Sequence, residues 1–213
     1  MLTWQAIIGA IAGVIGLLGF LPYFIEIFNG KTHPNRASWW IWGILGVILG
    51  WSYYSAGAIH SIWVPICYAI CQLLTALLSL KFGEGGWNCL DKVCLLGALF
   101  SLFLWWVFDS PTIAMIACLV IDLLGALPTL KKSCVYPQGE SLRSWSIFFL
   151  ANTLNLFAIG EWSISLSAYP LYLFVLSGSL VMILTRPLAN RFSMNMLRNK
   201  EIKRLKKKYI HPN

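Results

Sequence analysis

Seven apolar runs, separated by short polar or turn-rich segments, organise the chain. They cover roughly residues 4–28, 38–58, 61–82, 91–108, 111–131, 144–163 and 166–186. Between them stand Asn29-Gly30 with His33-Pro34-Asn35, Gly83-Glu84-Gly85-Gly86, Asp109-Ser110-Pro111 and Tyr136-Pro137-Gln138-Gly139, all turn-forming chemistry. A helix rises 1.5 Å per residue, so about 20 apolar residues cross a hydrocarbon core about 30 Å thick. The pattern predicts seven transmembrane helices and no separate soluble domain.

Direction comes from the charges, because cytoplasmic loops of membrane proteins collect Lys and Arg. With the N-terminus outside, the loops after spans one, three and five face inward, together with the C-terminal tail. Lys31 and Arg36, Lys81 and Lys92, and Lys131, Lys132 and Arg143 fall in those loops, and the remainder of the 16 Lys and Arg fall in the tail. The outer side keeps Asp109, His60 and Glu161. An error of one span would scramble this alternation. The chain therefore reads as N-outside and C-cytoplasmic.

Composition narrows the class. Charged residues make up 11% and hydrophobic residues 58% of the chain, against about 25% and about 45–50% in soluble domains. The net charge of +8 sits in membrane-flanking segments, which excludes nucleic acid as a partner in favour of the membrane. In the tail, Lys206, Lys207 and Lys208 close a basic run that begins at Arg198 and would contact anionic inner-leaflet headgroups. The six Cys, at 67, 71, 89, 94, 118 and 134, form no CxxC and no zinc-like spacing, and none falls in an outer loop. No metal, disulfide or other cofactor is expected from them. The opening Met-Leu-Thr-Trp-Gln lacks a basic n-region, which predicts a retained helix rather than a signal peptide. Short loops without a targeting motif favour a bacterial plasma membrane over that of an organelle.

Two stretches repeat. Leu18-Gly19-Phe20-Leu21-Pro22 answers Leu124-Gly125-Ala126-Leu127-Pro128, and Ser38-Trp39 answers Ser144-Trp145; 128 − 22 and 144 − 38 both give 106. Pro65 and Pro170 are 105 apart. The chain thus divides into a three-helix unit over 1–83, an inner loop and linker helix over 84–110, a second three-helix unit over 111–187 and a basic tail over 188–213. One linker helix gives both units the same orientation. The repeats are therefore parallel, related by an axis along the membrane normal, as in one class of secondary transporters.

These residues resemble the motif of PQ-loop proteins, relatives of the SWEET sugar transporters. That motif has Pro-Gln at the inner end of the first helix, then a Lys-Ser-like pair, then a Ser and an aromatic opening the next helix. Pro22, Lys31-Thr32 and Ser38-Trp39 follow that order. The second copy keeps Pro128, Ser144 and Trp145, with Pro137-Gln138 where the Lys-Ser-like pair would stand, and Tyr23 and Thr129 replace the Gln. The resemblance implies an all-α integral membrane fold of three, one and three helices. Similar proteins include proton-coupled exporters of cystine and basic amino acids, sugar uniporters and the non-transporting KDEL receptor.

Counting inward about ten residues from the span ends reaches the bilayer midplane. Asp122 on span five, Gln72 on span three, Asn152 and Asn155 on span six and Ser177 on span seven lie at that depth. The resemblance places substrate contacts at mid-depth of the third and seventh helices, which matches Gln72 and Ser177, and an acid in the fifth helix of proton-linked members. An acid at the bilayer centre costs at least about 2.5–3.5 kcal/mol, so Asp122 needs a cavity or a partner. It is the candidate proton-coupling residue; the alternative is interhelical glue to Asn152, Asn155 or a backbone group. Trp51 and Tyr53, deep in the aromatic second span, are candidate stacking surfaces for a solute ring. Pro22 and Pro128 each remove a ladder hydrogen bond near the inner end of a helix. The resemblance makes them hinges of an inner gate, with static kinks as the alternative. Glu26, one turn past Pro22, would pair with Lys31 or Arg36 there.

Several classes fail. Span seven has no mid-depth Lys for retinal, no Gly-x-Ser-x-Gly or paired Asp suits an intramembrane protease, and no nucleotide-binding glycine motif is present. The expected function is non-enzymatic: secondary transport of a small polar solute by alternating access. The alternative is a receptor or scaffold of the same fold that binds a ligand or lipid. Expected partners are the solute and membrane lipids, with a homo-oligomer also compatible.

Overall fold

The computed structural model describes residues 4–55, 63–84, 89–107, 111–159, 162, 167–168 and 170–186. The described residues are all-helical, with seven α-helices and no β-strand: α1 (Trp4–Phe28), α2 (Arg36–Ser55), α3 (Trp63–Phe82), α4 (Cys89–Val107), α5 (Pro111–Val135), α6 (Leu142–Phe157) and α7 (Pro170–Arg186). A short 3-10 turn, Pro137–Gly139, lies between α5 and α6. Among the described residues, α1 is the helix long and apolar enough to cross a membrane by length and composition.

Local chemistry sets the helix ends. α1 stops at Gly30, whose φ of 65° supplies the left-handed residue that closes a helix C-terminus. Beyond it, Lys31 N and Thr32 N donate back to Glu26 O at 2.9 and 3.2 Å. α2 starts two residues before its apolar run because the Asn35 side chain accepts from Ser38 N at 3.1 Å. The same device opens α6, where Ser141 Oγ accepts from Ser144 N at 3.2 Å. α5 runs to Val135, a turn past the apolar run that ends at 131, because Lys132 and Ser133 are buried rather than solvated. α6 ends at Phe157, short of 163, where Ala158 N turns back to Asn155 O and Leu156 O.

α1 packs along α6, and α2 along α5; α3 lies between α1 and α2, and α4 against α5 and α2. Exchanging α1 with α5 and α2 with α6 turns the first of these contacts into the second. Buried Gly16 and Gly19 let α1 approach closely: a Cβ at Gly16 would overlap the Tyr68 hydroxyl, and one at Gly19 would stand 2.5 Å from the Phe148 ring. The main core is aromatic, built on Phe20, Tyr23, Trp39, Trp42 and Trp145, with leucines of α7 packed against them.

Polarity runs from outside in. Thr32, Ser38, Thr75, Ser79, Asp122, Thr129, Lys132, Glu140 and Ser144 are buried, while large apolar side chains are exposed on every helix. On α1 the exposed set is Trp4, Ile7, Ile11, Val14, Leu18, Leu21, Ile25 and Phe28, one continuous stripe along the whole helix. A soluble monomer rarely shows a contiguous apolar patch of this extent.

Candidate functional site

Two polar clusters lie inside the bundle. The first surrounds Asp122, near the middle of α5 and 5% exposed. Trp42 Nε1 of α2 donates to its Oδ1 at 2.9 Å and to its backbone O at 3.3 Å. Tyr172 OH of α7 donates to the same Oδ1 at 3.3 Å. Gly125, one turn further along α5, makes room for the indole, since a Cβ there would stand 2.9 Å from Trp42 Nε1. One carboxylate oxygen therefore joins three helices. A buried acceptor shared in this way is costly to leave without its donors.

The third helix of the first half also carries a tyrosine, one residue out of register with Tyr172. Tyr68 of α3 is 104 residues earlier (172 − 68), and its hydroxyl points to Gly13 O at 3.4 Å and crowds Gly16. Gly16 is 106 residues before Asp122 (122 − 16). Each half thus sends a tyrosine hydroxyl onto its own first helix, α1 or α5, and the second half alone meets it with an acid.

Asn152 lies beside this cluster rather than in it. Its Nδ2 donates to Ser177 Oγ at 3.2 Å and to Leu173 O at 3.4 Å, tying α6 to α7. Ser177 is buried and donates to Leu173 O at 2.6 Å. Gln72 is half-buried on α3 against α2, where a Cβ at Gly46 would meet its Oε1 at 2.5 Å. Asn155 is half-buried on the last turn of α6. The side chains of Trp51 and Tyr53, and all of Lys206, Lys207 and Lys208, lie outside the described residues.

The second cluster sits at the end of the bundle that holds the α1–α2 loop, the end of α3 and the α5–α6 turn. We call this the basic end. Glu140 is its centre, with a fully buried side chain. Oε1 accepts from Lys132 Nζ at 2.5 Å, and Oε2 accepts from Tyr23 OH and from Trp145 Nε1, each at 3.0 Å. Tyr23 OH in turn accepts from Trp39 Nε1 at 3.1 Å. Lys132 also donates to Gly139 O at 3.1 Å and to His33 O, and His33 N donates to Gly139 O at 2.8 Å. Pro22 and Pro128 immediately precede Tyr23 and Thr129, and Thr129 Oγ1 donates to Ser38 Oγ at 2.8 Å. Glu26 accepts from Thr32 Oγ1 at 3.1 Å, while Arg36 reaches the Ser79 and Gly83 carbonyls at 3.0 and 3.2 Å, capping α3.

Reading the sequence misses three of these residues. Trp42 stands one turn after Trp39 on the same face of α2, a spacing that marks a shared partner surface. Tyr172 has no repeat mate of its own type to mark it, since the 105-residue offset of spans three and seven pairs it with Cys67. Glu140 is the acid of an otherwise basic loop, eight residues from Lys132, and a count of cations alone passes over it.

Among the described residues no group of three or more His, Cys, Asp or Glu side chains could hold a metal ion. Compared with family models, with curated proteins and with solved structures, the chain matches none.

Proposed function

We propose that the chain is a polytopic membrane protein of PQ-loop or SWEET-like architecture that moves a small polar solute by alternating access. In this reading Asp122 carries the coupled proton or contacts the solute. The observation that carries it is the placement of Asp122: a buried acid at mid-helix, held by Trp42 of the first three-helix unit and Tyr172 of the second. A group bridging two units at mid-depth changes its surroundings whenever the units move against each other. That is the property a coupling site needs.

Supporting observations come from the rest of the molecule. Exposed apolar faces on every helix suit lipid as the surrounding solvent, and helices α2 to α5, of 19 to 25 residues, have the length of a span. The sided Lys and Arg argue for a cytoplasmic C-terminus. The α1·α6 and α2·α5 contacts, interchanged by swapping units, suit two parallel repeats moving about an axis along the membrane normal. The solute would lie near Asp122, Gln72 and the Asn152–Ser177 pair.

One observation favours the receptor or scaffold reading. An apolar crevice lined by Ile41, Leu45, Leu95, Ala98 and Ile121 opens between α2, α4 and α5, chemistry suited to an acyl chain. Flux into proteoliposomes, measured over a panel of sugars and amino acids with and without a pH gradient, separates the two. Saturable uptake of one solute class is the expected result. Saturable binding with no flux of any solute sinks the transport reading and leaves the receptor.

A further inference from the structure

We propose that Glu140 is the latch of an inner gate: the Glu140–Tyr23 bond and the loop-to-loop bonds beside it hold the basic end shut, and they are the contacts that part when that end opens. The proposal deepens the alternating-access reading and rests on it.

The hydrogen bonds around Glu140 divide into two sets. The Lys132–Glu140, Trp145–Glu140 and Lys132–Gly139 bonds lie within the half that holds Glu140. Tyr23 to Glu140, His33 N to Gly139 O, Lys132 to His33 O, and Thr129 to Ser38 all cross between the halves. These four bonds gather at the basic end, apart from the Trp42–Asp122 bond that crosses at mid-helix.

If the halves part along this plane, Glu140 keeps both Lys132 and Trp145. The buried charge is never left without its counter-ion, the step that would be most costly. What loses a partner is a phenol, two hydroxyls, loop backbone groups, and one bond each of the Lys132 ammonium and the Glu140 carboxylate, which keep each other. Water entering an opening mouth satisfies all of these. The network is strong within one half and readily exchanged with water between halves. A static staple has no need of that division.

The two helical prolines sit where such a parting would bend the chain. Pro22 and Pro128 each precede a residue whose side chain makes a crossing bond, Tyr23 and Thr129. A proline removes one ladder bond and lets the helix flex at that turn. Two of the four crossing bonds are therefore anchored next to the weakest point of their own helix. The conformer described here, with all four of these bonds made, is closed at the basic end.

The test uses the full chain in lipid and compares wild type with Tyr23→Phe and Thr129→Val by hydrogen–deuterium exchange. Each variant cuts a crossing bond and leaves the Lys132–Glu140 pair intact. The expected result is exchange about tenfold faster in both loops, 29–35 and 136–141, with helix amides unchanged and the thermal midpoint lowered by no more than one lost hydrogen bond accounts for. Exchange unchanged in both variants overturns the latch. So does faster exchange spread evenly over loops and helices, the signature of a purely structural staple. Solute flux of the same samples keeps the two claims apart. Coupled loop opening without flux of any solute would retain the hinged latch and remove the transport reading.

Discussion

The two halves of the chain share a frame and differ in what it carries. Positions 106 apart supply the same helix caps, the same helical prolines and the same Ser-Trp openings of α2 and α6. On that frame the second half places Asp122, Lys132 and Glu140, where the first has Gly16, Glu26 and Pro34. Gly16 is filled by the Tyr68 hydroxyl, and Glu26 makes a local bond to Thr32. The chemistry is concentrated in one half, and the other supplies neutral donors, Trp42 and Tyr23, that reach across to it. In the proposed alternating-access reading both halves would line one site, and one set of charges would serve both.

The largest effect expected is at Glu140. Replacing it with Ala leaves Lys132 buried beside lost partners and should cost about 3–5 kcal/mol of stability. Glu26→Ala in the first half should cost about 1 kcal/mol, the loss of one hydrogen bond. Thermal unfolding in detergent measures both, and equal costs would break the contrast between halves. Next comes Asp122→Ala, which strips an acceptor from Trp42 and Tyr172 and should cost about 1–3 kcal/mol. Asp122→Asn retains a carbonyl oxygen for both donors and should cost clearly less in the same assay.

Smaller effects sharpen the shared frame. Asn35→Ala and Ser141→Ala should each cost about 1 kcal/mol and agree closely, because each removes one helix N-cap bond. A large disparity in unfolding midpoint would mean that the halves are not built alike at their helix starts. Last, Tyr172→Phe should destabilise by about 0.5–1.5 kcal/mol. Tyr68→Phe should lower the midpoint less, since its hydroxyl makes a 3.4 Å contact to a backbone carbonyl rather than a bond to a carboxylate.

What could be read from the chain alone was what depends on local pattern. The apolar runs foretold helices, and the turn chemistry at Asn29-Gly30 and Tyr136-Pro137 foretold where they stop. Asp122 stood out because an acid inside an apolar run has few inexpensive surroundings. Its partners did not stand out. Whether Trp42 or Asn152 faces Asp122 depends on how each helix is rotated about its own axis, which packing at Gly125 decides and sequence spacing does not. Lys132 counted as one more cation of a basic loop until the fold buried it against Glu140. That pairing depends on α5 continuing a turn beyond its apolar run, past the point where hydropathy marks a helix end.

The central claim is that Asp122 works rather than only holds helices together. Uptake driven by a pH gradient, compared between wild type and Asp122→Asn reconstituted at equal density, tests it most directly. The account predicts that wild type concentrates its solute and that the variant, with a nearly unchanged thermal midpoint, falls about tenfold or more. Equal gradient-driven uptake by both proteins would contradict it and leave Asp122 as an interhelical tie.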